Sequence, residues 1–536
     1  MAYNNLQMIL ICISILLVNI NSYIIIPLKS TDELYFSKLT KTEITLNDKE
    51  KIQEIFLKYI NNVLYADLLL GEPNQKAVAF LSKDDYGFSF YEEFSTKELK
   101  ELGALNYNYY LKNKSETIIP TDEYNYEYSF WSYLSHAEFL YLFKFNDNEI
   151  FNVEQFKNKK LTKTEERIHF LYTIRNSSRI PNNPDFINIQ KKFEKEQDEL
   201  RKLNFTHFSY FSMGLQFGSR NSYRVVKSFI EEFCSRKEIT NREWNIYYLN
   251  NKNFKSKNNI DYDAFLIMGS SPHIYLSNIF NEKDQFSTYS EKSLFSNNPT
   301  LSFYDIYTKV NNNIISLAKF DKTVELNFNF GLIRATWQVK TLLDEHYFCN
   351  LIQQGKCFES KIDKTEYSYY AYYYCDKNKI TNEEIKSFPG VFLQHNEFSY
   401  IFELNSDDLF ETFGDVIIFK MVFDTSNNWV LGNLFLKKYM MSFGDEDKKI
   451  YFYNKKYDEE NDDYNGNEND KNKYLNVIII SVIFGVIIFA ILGFFIGKCF
   501  YNKKRITTHE LEDLEDENMI NNGNIDSNNN EDKLIP

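Results

Sequence analysis

The stretch WVLGNLFLKKYMMSFGDEDKKIYFYN, Trp429 to Asn454, decides the fold of this chain. An aromatic residue, two apolar residues and a glycine come first, followed by an apolar and basic run, a tyrosine, a polar turn and a last apolar strand. This order is typical of the segment that closes a large β structure. It predicts that the strands of that structure, and any chemistry they carry, lie upstream.

Short runs rich in Val, Ile, Phe and Tyr do alternate upstream with clusters of Asn, Asp, Gly and Lys, a pattern that predicts an all-β fold with short helices. Two stretches depart from it. Residues 183–203 are highly charged with sparse apolar positions, which predicts an exposed helical insertion. Val225, Phe229 and Phe233 recur at four-residue steps and predict a short amphipathic helix. The β blocks fall into two halves of similar size.

Two apolar runs predict the cellular localisation and the membrane topology. Met8–Val18 is too short to span a bilayer and has the length of a signal-peptide core, so we predict a signal peptide over 1–22, with a buried first strand as the alternative. Tyr474–Gly497 carries no charge and is long enough to cross a hydrocarbon core of about 30 Å. Basic residues follow it at once, as on the cytosolic side of membrane helices. Together the runs predict a single-pass type I membrane protein of the secretory and endomembrane system or the cell surface.

The net charge of −14 is partly concentrated beside this span. Residues 456–473 are acidic, rich in Asn and poor in apolar residues, which predicts a disordered stalk, and 498–536 form an acidic cytoplasmic tail. No basic patch interleaved with aromatic residues occurs on the other side of the span, so the sequence argues against a nucleic-acid partner.

Four cysteines lie between the two apolar runs, and they permit three full pairings. They are Cys234, Cys349, Cys357 and Cys375. None stands in a C-x-x-C spacing and no histidine joins them at a ligand spacing, so we predict neither a zinc site nor a cofactor. Asn113, Asn176 and Asn204 begin glycosylation sequons, which suits surface loops in a secretory compartment.

The sequence resembles the pepsin-like aspartic proteases over roughly residues 60–455. The last block of that family has the form W-[IV]-L-G-x-x-F-[LM]-[RK]-x-Y, followed by a phenylalanine. It is matched here by Trp429, Val430, Leu431, Gly432, Phe435, Leu436, Lys437, Tyr439 and Phe443. Leu64–Ser82 resembles the family's opening hairpin, and the segment beginning at Ser212 resembles its G-[IL]-L-G-L-G strand and the helix after it.

The resemblance implies a bilobal fold with a cleft between the lobes, followed here by the C-terminal transmembrane helix. The N-terminal lobe would cover 23–235, including the insertion at 183–203, and the C-terminal lobe 236–455. It also implies a disulfide between Cys357 and Cys375 in the second lobe, and a peptide or protein ligand in the cleft.

Catalysis in this family needs two aspartates, one from each lobe, in the motif D-[TS]-G-[TS]. They share one proton, because two like charges so close together cannot both ionise. Counted without gaps from Gly71, the first catalytic position is Ser82, followed by Lys83 and Asp84. Asp84 and Asp85 are rivals after a two-residue slip, but the glycine and hydroxyl of the motif would still be missing.

The second catalytic position is degenerate as well. Aligning Gly331 with the motif glycine places Asn329 there, and Phe330 and Leu332 stand where small hydroxyl residues are expected. Asn329 cannot exchange a proton near neutral pH. Asp321 is the rival, but it lies too soon after the preceding strand.

The flap of the family resembles the stretch YNYEYSFWSYLSHAEF, with Tyr128 at the flap tyrosine. Phe130 and Trp131 replace small residues and would fill the mouth of the cleft. We therefore predict a membrane-anchored protein that keeps the fold, binds a peptide or protein and does not cleave it. The alternatives are an active aspartic endopeptidase of the secretory or endolysosomal system, and a receptor or cargo adaptor whose tail carries sorting information.

Overall fold

The computed structural model describes residues 22–30, 36, 44–82, 88–92, 115–128, 131–146, 149–175, 210–215, 227–249, 260–290, 299–310, 313–365, 368–396, 400–425 and 428–453. Several predicted segments lie outside these residues: 1–21 of the signal peptide, the insertion at 183–203, the stalk at 456–473, the span at 474–497 and the tail at 498–536. Within the described ranges, no helix is both long and apolar enough to cross a membrane.

Strands dominate the described chain, which confirms the predicted all-β class with short helices. The strands up to Met268 are β1 (Ser22–Ser30), β2 (Leu64–Leu70), β3 (Gln75–Ser82), β4 (Phe88–Glu92), β5 (Ile119–Tyr128), β6 (Trp131–Glu138), β7 (Leu140–Asn146), β8 (Thr162–Lys163), β9 (Ile168–Arg175), β10 (Tyr210–Gly214), β11 (Glu243–Tyr248) and β12 (Ala264–Met268).

The later strands are β13 (Gln285–Tyr289), β14 (Thr300–Val310), β15 (Asn313–Leu326), β16 (Ile333–Thr336), β17 (Cys357–Thr365), β18 (Ser368–Asp376), β19 (Val391–His395), β20 (Ile401–Leu404), β21 (Phe410–Phe413), β22 (Val416–Asp424), β23 (Trp429–Leu431), β24 (Met441–Gly444) and β25 (Lys449–Tyr453). The closing segment thus supplies β23, β24 and β25, as its sequence predicts.

The described helices are short: α1 (Lys49–Ile60), α2 (Val153–Phe156), α3 (Phe229–Ser235), α4 (Pro272–Tyr275), α5 (Trp337–Leu343), α6 (Cys349–Gln353), α7 (Asn382–Lys386), α8 (Ser406–Leu409) and α9 (Asn433–Lys438). A π-helical segment (Asp344–Phe348) joins α5 to α6, and a 3-10 turn spans Glu282–Asp284. Phe229 and Phe233 of the helix predicted from Val225, Phe229 and Phe233 lie in α3, and Val225 lies outside the described residues. Helix α3 begins at Phe229, where Ser228 accepts a hydrogen bond from the Glu231 amide at 3.1 Å.

The strands form two sheets that repeat one topology. Part of the first sheet runs in the order β8-β7-β2-β3-β10-β4-β9-β6-β5, and the second sheet runs β20-β19-β14-β15-β23-β16-β22-β18-β17. Strands at the same place in the two series also come in the same order along the chain: β2 corresponds to β14, β3 to β15, and so on to β10 and β23. The directions also agree: only β3/β10 and β4/β9 are parallel in the first series, and only β15/β23 and β16/β22 in the second.

The remaining strands continue this repeat. They form the order β13-β25-β24-β11-β12-β1, which reads the same from either end when β1–β12 are matched with β13–β25. Its centre is the antiparallel pair β11/β24, in which Trp244 lies opposite Phe443 and their rings stack at 4.4 Å. We call β1–β12 the first half and β13–β25 the second half; β21 has no counterpart among the described strands of the first half. The lobe boundary predicted between Ser235 and Arg236 differs from this division and stays a prediction.

The second sheet buries apolar residues on both faces, because neighbouring side chains along a strand point to opposite sides. Tyr373, Phe419 and Leu431 join the larger core of the molecule. Their chain neighbours join a second core that includes α1 and that we call the α1 cluster. Its members are Phe36, Ile44, Ile52, Ile55, Phe56, Tyr59, Phe330, Leu332, Ile362, Tyr370, Tyr372, Tyr374, Phe413, Val416, Ile418, Val422 and Val430.

Candidate functional site

The repeat identifies two equivalent strand ends. In the first half β3 runs parallel to β10, with Leu81 opposite Met213 and Ser82 opposite Gly214. In the second half β15 runs parallel to β23, with Leu326 opposite Leu431. The next residues are Asn327 and Gly432, so a polar residue faces a glycine at the end of each pair. Ser82 therefore corresponds to Asn327.

Asn327 was missed by the sequence alignment, which was anchored on Gly331 and chose Asn329. Asn327 is 9 % exposed and follows β15 directly. Its main-chain amide donates to Leu431 O at 3.0 Å, and its Oδ1 accepts from the Asn329 amide at 2.9 Å. The signal that identifies Asn327 is the internal repeat, because Asn327 directly follows β15 just as Ser82 ends the equivalent strand β3.

Asn329 links the two strand ends. Its Nδ2 donates to the main-chain oxygen of Leu81 at 3.0 Å, so the residue just before Ser82 touches the loop of the other half. The Asn329 Oδ1 is buried and accepts no hydrogen bond from the part of the chain that the structure describes. The structure thus brings Asn327, Asn329 and the end of β3 together at one place, which we call the strand-end site.

Close packing holds the second loop of this site, residues 327–332. Gly432 accommodates it: a Cβ at this position would lie 1.9 Å from Phe330 O, which no side chain can occupy. The loop oxygens are bonded as well, since Asn433 N donates to Phe330 O at 2.6 Å and Gly432 N to Leu332 O at 3.1 Å. The glycine of the closing motif is therefore required by the close approach of the loop.

The groups at this site do not ionise near neutral pH. Neither the alcohol of Ser82 nor the amides of Asn327 and Asn329 can act there as the ionised base that an aspartate supplies. The carboxylate nearest to them in the described contacts is that of Glu325, whose Oε1 accepts from Asn327 Nδ2 at 3.3 Å. A single carboxylate does not reproduce a pair that shares a proton.

The rival aspartates are placed as follows. Asp84 and Asp85 lie outside the described residues. Asp321 lies within β15, six positions before Asn327, a separation of roughly 20 Å in an extended strand. The structure therefore does not bring Asp321 to the strand-end site.

The predicted flap corresponds to the hairpin of β5 and β6. Tyr128 ends β5 and pairs with Trp131, the first residue of β6, so it stands at the tip of this hairpin. The Phe130 position lies outside the described residues. The role of Tyr128 as a flap residue stays a prediction.

The Cys357–Cys375 disulfide implied by the resemblance is present. The two cysteines lie opposite each other on β17 and β18, so the bond joins neighbouring strands. Cys234 and Cys349 carry free thiols, the second of them exposed. The sequons at Asn113, Asn176 and Asn204 lie outside the described residues.

A cavity of about 270 Å³ opens elsewhere, among β1, β2 and β7. Its charged residues are paired with each other: Lys29 lies 2.7 Å from Asp261 and 3.6 Å from Asp67, and Lys76 lies 3.1 Å from Asp67. Burial opposes the charge of Lys29, but the hydrogen bond to Asp261 and the charge of Asp67 hold its pKa above the ordinary value. The cavity is not lined by the strand-end residues, and its balanced charges select no ligand class.

No group of three or more His, Cys, Asp or Glu side chains among the described residues is arranged to hold a metal ion. No family model matches the chain, and no curated protein matches its sequence. Among solved structures, that of conglutin gamma, a unique basic 7S globulin from lupine seeds, is similar to this chain with a TM-score of 0.44 and 9% identity, covering 81% of this chain and 96% of that chain. A similarity of this size assigns neither a family nor a function.

Proposed function

We propose that this protein is a membrane-anchored, pepsin-like pseudoprotease that binds a peptide or protein between its two halves and does not cleave it. The observation that carries the proposal is the equivalence of Ser82 and Asn327 at the two strand ends. Both positions lack a carboxylate, so the acid, the base and their shared proton are missing together. Each general acid or base is worth about 10²–10⁴-fold in rate.

The assignment to the pepsin-like fold is supported by where its motifs lie. The opening hairpin Leu64–Ser82 forms β2 and β3, and the closing segment forms β23, α9, β24 and β25. A tandem repeat of twelve strands, with two equivalent strand ends in contact, is the arrangement that a two-lobed enzyme with one catalytic group per lobe requires. The repeat lies in the hydrogen-bonded order of the strands, so it does not depend on the sequence resemblance.

The contact between Asn329 and the end of β3 argues further against hydrolysis. A separation of 3.0 Å between Asn329 Nδ2 and Leu81 O is a direct hydrogen bond, with no room for a water molecule between the atoms. A hydrolytic water would have to be held and deprotonated in this region. Here the side chain of Asn329 offers a donor to a carbonyl, and its amide cannot deprotonate water.

The test uses the full-length protein in detergent, incubated from acidic to neutral pH with a quenched fluorescent peptide library, with and without pepstatin. We expect no pepstatin-sensitive cleavage, and we expect a displayed random peptide library to yield peptides that bind. Pepstatin-sensitive cleavage that is lost in Asp84→Asn/Asp85→Asn would overturn the proposal and identify the catalytic group. Failure to select any peptide would overturn the binding role.

The membrane topology is part of the proposal and has its own test. We infer a lumenal or extracellular position for residues 23–473 and a cytosolic position for 498–536. Protease treatment of sealed microsomes should remove a tag placed at the C-terminus and spare one placed after the signal peptide. Protection of both tags would contradict a single-pass type I arrangement.

A further inference from the structure

Helix α1 lies in a connection that breaks the repeat. In the first half β1 and β2 are joined by residues 31–63, whereas the equivalent strands β13 and β14 are joined by the much shorter segment 290–299. The additional residues of the first connection include Phe36, Ile44 and α1. The helix is amphipathic, because Ile52, Ile55, Phe56 and Tyr59 follow the spacing i, i+3, i+4, i+7 and are all buried.

The buried side of α1 packs against the second half, although the strands on either side of it belong to the first. The Phe56 ring lies 4.1 Å from that of Tyr372 on β18, centroid to centroid. The Tyr59 hydroxyl donates to Glu411 on β21 at 2.7 Å. Before the helix, the oxygen of Ile44 accepts from the Asp415 amide at 2.9 Å.

The same contacts place α1 beside the strand-end site. The Gly331 amide, in the loop that carries Asn327 and Asn329, donates to Tyr59 O at 2.7 Å. Phe330 and Leu332 of this loop, and Val430 of β23, lie in the α1 cluster. Val430 is the register partner of Glu325, which is hydrogen-bonded to Asn327. The helix therefore covers the face of the second sheet that continues from the site.

This cover is part of the folded core and not a detachable segment. Six apolar side chains of residues 36–60 are almost completely buried in it. Releasing them would expose all six to water, and a ligand would have to offset that loss in addition to its own cost of binding. A peptide of ordinary affinity cannot do so.

We propose that α1 permanently occupies the second half's side of the strand-end site, so that a peptide bound between the halves is held through its contacts with the first half. The inference rests on the proposed binding function. Its chemistry follows from the register: Ser89 pairs with Ser212 where the second half pairs Arg334 with Val430. The first half thus carries serines at a register position where the second half carries Val430, which α1 covers, and serine is a residue type that can bond the amides and carbonyls of an extended peptide.

A disulfide lock tests the permanence of the helix. Gly331 and Tyr59 are in direct contact: a Cβ on Gly331 would lie 2.8 Å from the Tyr59 ring, which Tyr59→Cys removes. It would also lie 3.0 Å from Tyr59 O and 3.2 Å from Tyr59 Cα, so the bond requires the main chain to shift by a few tenths of an ångström. The probe is a dodecapeptide selected from the displayed library on the full-length wild-type protein. We expect the Tyr59→Cys/Gly331→Cys protein to bind it with the same Kd, within about twofold, when oxidised and when reduced. Binding at least about tenfold weaker in the oxidised form would overturn the inference, because the helix would then have to leave.

Hydroxyl deletions test which half holds the peptide. We expect Ser212→Val to weaken binding by about fivefold or more, as loss of a hydrogen bond does, and Thr412→Val on β21 of the second half to leave the Kd unchanged. The reverse order would overturn the assignment to the first half. Unfolding curves of both variants check that the fold is kept.

Hydrogen exchange tests whether α1 stays in place, and it needs no peptide. If no peptide is ever selected, the proposed function fails, but the permanent occupation by α1 is still tested. We expect the slowest amides of α1 in the full-length protein to exchange within about tenfold of those in β22. Exchange of α1 on the order of a thousandfold faster would show a segment that opens independently, and the permanent occupation would be refuted.

Discussion

The side-chain amide of Asn329 is hydrogen-bonded to the main-chain oxygen of Leu81 at 3.0 Å, although the two residues belong to different halves of the chain. Leu81 precedes Ser82, and Asn329 follows Asn327 by two residues, so the bond connects the equivalent ends of β3 and β15. The residue that sequence reasoning placed at a catalytic position thus acts as a link between the halves. This link depends on a donor at Asn329, which a carboxylate lacks.

Asn329→Asp should destabilise the protein more at pH 7 than at pH 4. The ionised carboxylate cannot donate to Leu81 O and places a negative charge against it, at a cost of about 1–3 kcal/mol. Because folding disfavours the charged form, the pKa of the new carboxyl should rise above its unfolded value near 4. The folded state then binds more protons, and stability falls as pH rises through this window.

Urea unfolding of wild type and variant at the two pH values measures the difference. Asn350→Asp is the matched control, because Asn350 is exposed, and its effect should stay within about 0.5 kcal/mol at both pH values. Equal destabilisation of Asn329→Asp at pH 4 and pH 7 would show that the donor to Leu81 is not what this position supplies.

Gly432→Ala should disrupt the strand-end site, because its Cβ would lie 1.9 Å from Phe330 O, a main-chain atom that cannot rotate away. We expect a loss of more than about 3 kcal/mol, above the usual cost of overpacking. Gly355→Ala is the control: nothing lies within 4 Å of its Cβ, and only its positive φ should cost roughly 1–2 kcal/mol. Thermal unfolding that ranks the two variants in the opposite order would contradict the tight loop.

Much of the β framework could be predicted from the sequence, since strand patterns and the closing segment are local signals. The hairpin Leu64–Ser82 and the segment from Trp429 became the elements expected of them. The Cys357–Cys375 bond followed from the resemblance, and not from the cysteine spacing, which left three pairings open. From the sequence only two halves of similar size could be predicted, and not the repeated strand order. Strand neighbours are set by contacts between residues that are far apart in the chain.

Helix α1 and Asn327 show two different limits of prediction from the sequence. The spacing of Ile52, Ile55, Phe56 and Tyr59 is readable and would have predicted the helix. That it packs on the other half was not readable, since no local pattern specifies a partner. Asn327 was missed because Gly331, taken as the motif glycine, instead approaches Tyr59 of α1.

Phe56→Ala should weaken the second half of the molecule, although Phe56 precedes every strand of that half. The ring is fully buried against Tyr372, and removing such a ring costs about 3–5 kcal/mol. We expect a lower urea midpoint and faster hydrogen exchange in β18 and β22. Glu54→Ala, on the exposed side of the same helix, should change stability by less than about 0.5 kcal/mol. Loss of protection confined to α1 would show that the helix does not brace that sheet.

Removing the disulfide with Cys357→Ser/Cys375→Ser should lower the free energy of unfolding by about 3 kcal/mol. The bond closes a loop with a sequence separation of 18, and its absence gives the unfolded chain more freedom. Reducing agent should shift wild type towards the variant and leave the variant unchanged. Cys349→Ser, at an exposed free thiol, is the control and should match wild type. A double variant as stable as wild type would show that the cross-strand pairing alone secures β17 and β18.

Raising the pH above 10 should unfold the protein, because burial raises the pKa of several tyrosines above their unfolded value of about 10. Burial is the main cause of the raised pKa of Tyr347, Tyr439 and Tyr453, and at Tyr373 the hydrogen bond to Asp344 adds to burial. Above pH 10 the unfolded chain releases these protons while the folded chain keeps them. The stability they provide is therefore complete below pH 10 and decreases as pH rises towards the folded pKa values.

Tyr373→Phe isolates one such proton. Its unfolding free energy, measured in urea between pH 9 and 11.5, should decline less steeply than that of wild type, by up to about 1.4 kcal/mol per pH unit above pH 10. A step in tyrosinate absorbance should accompany unfolding in both proteins, because the buried hydroxyls ionise only when unfolding exposes them. The variant keeps the ring contacts of Tyr373, which stacks on Phe348 at 4.0 Å, so packing is conserved. Parallel curves for the two proteins would mean that Tyr373 titrates alike in the folded and unfolded chain.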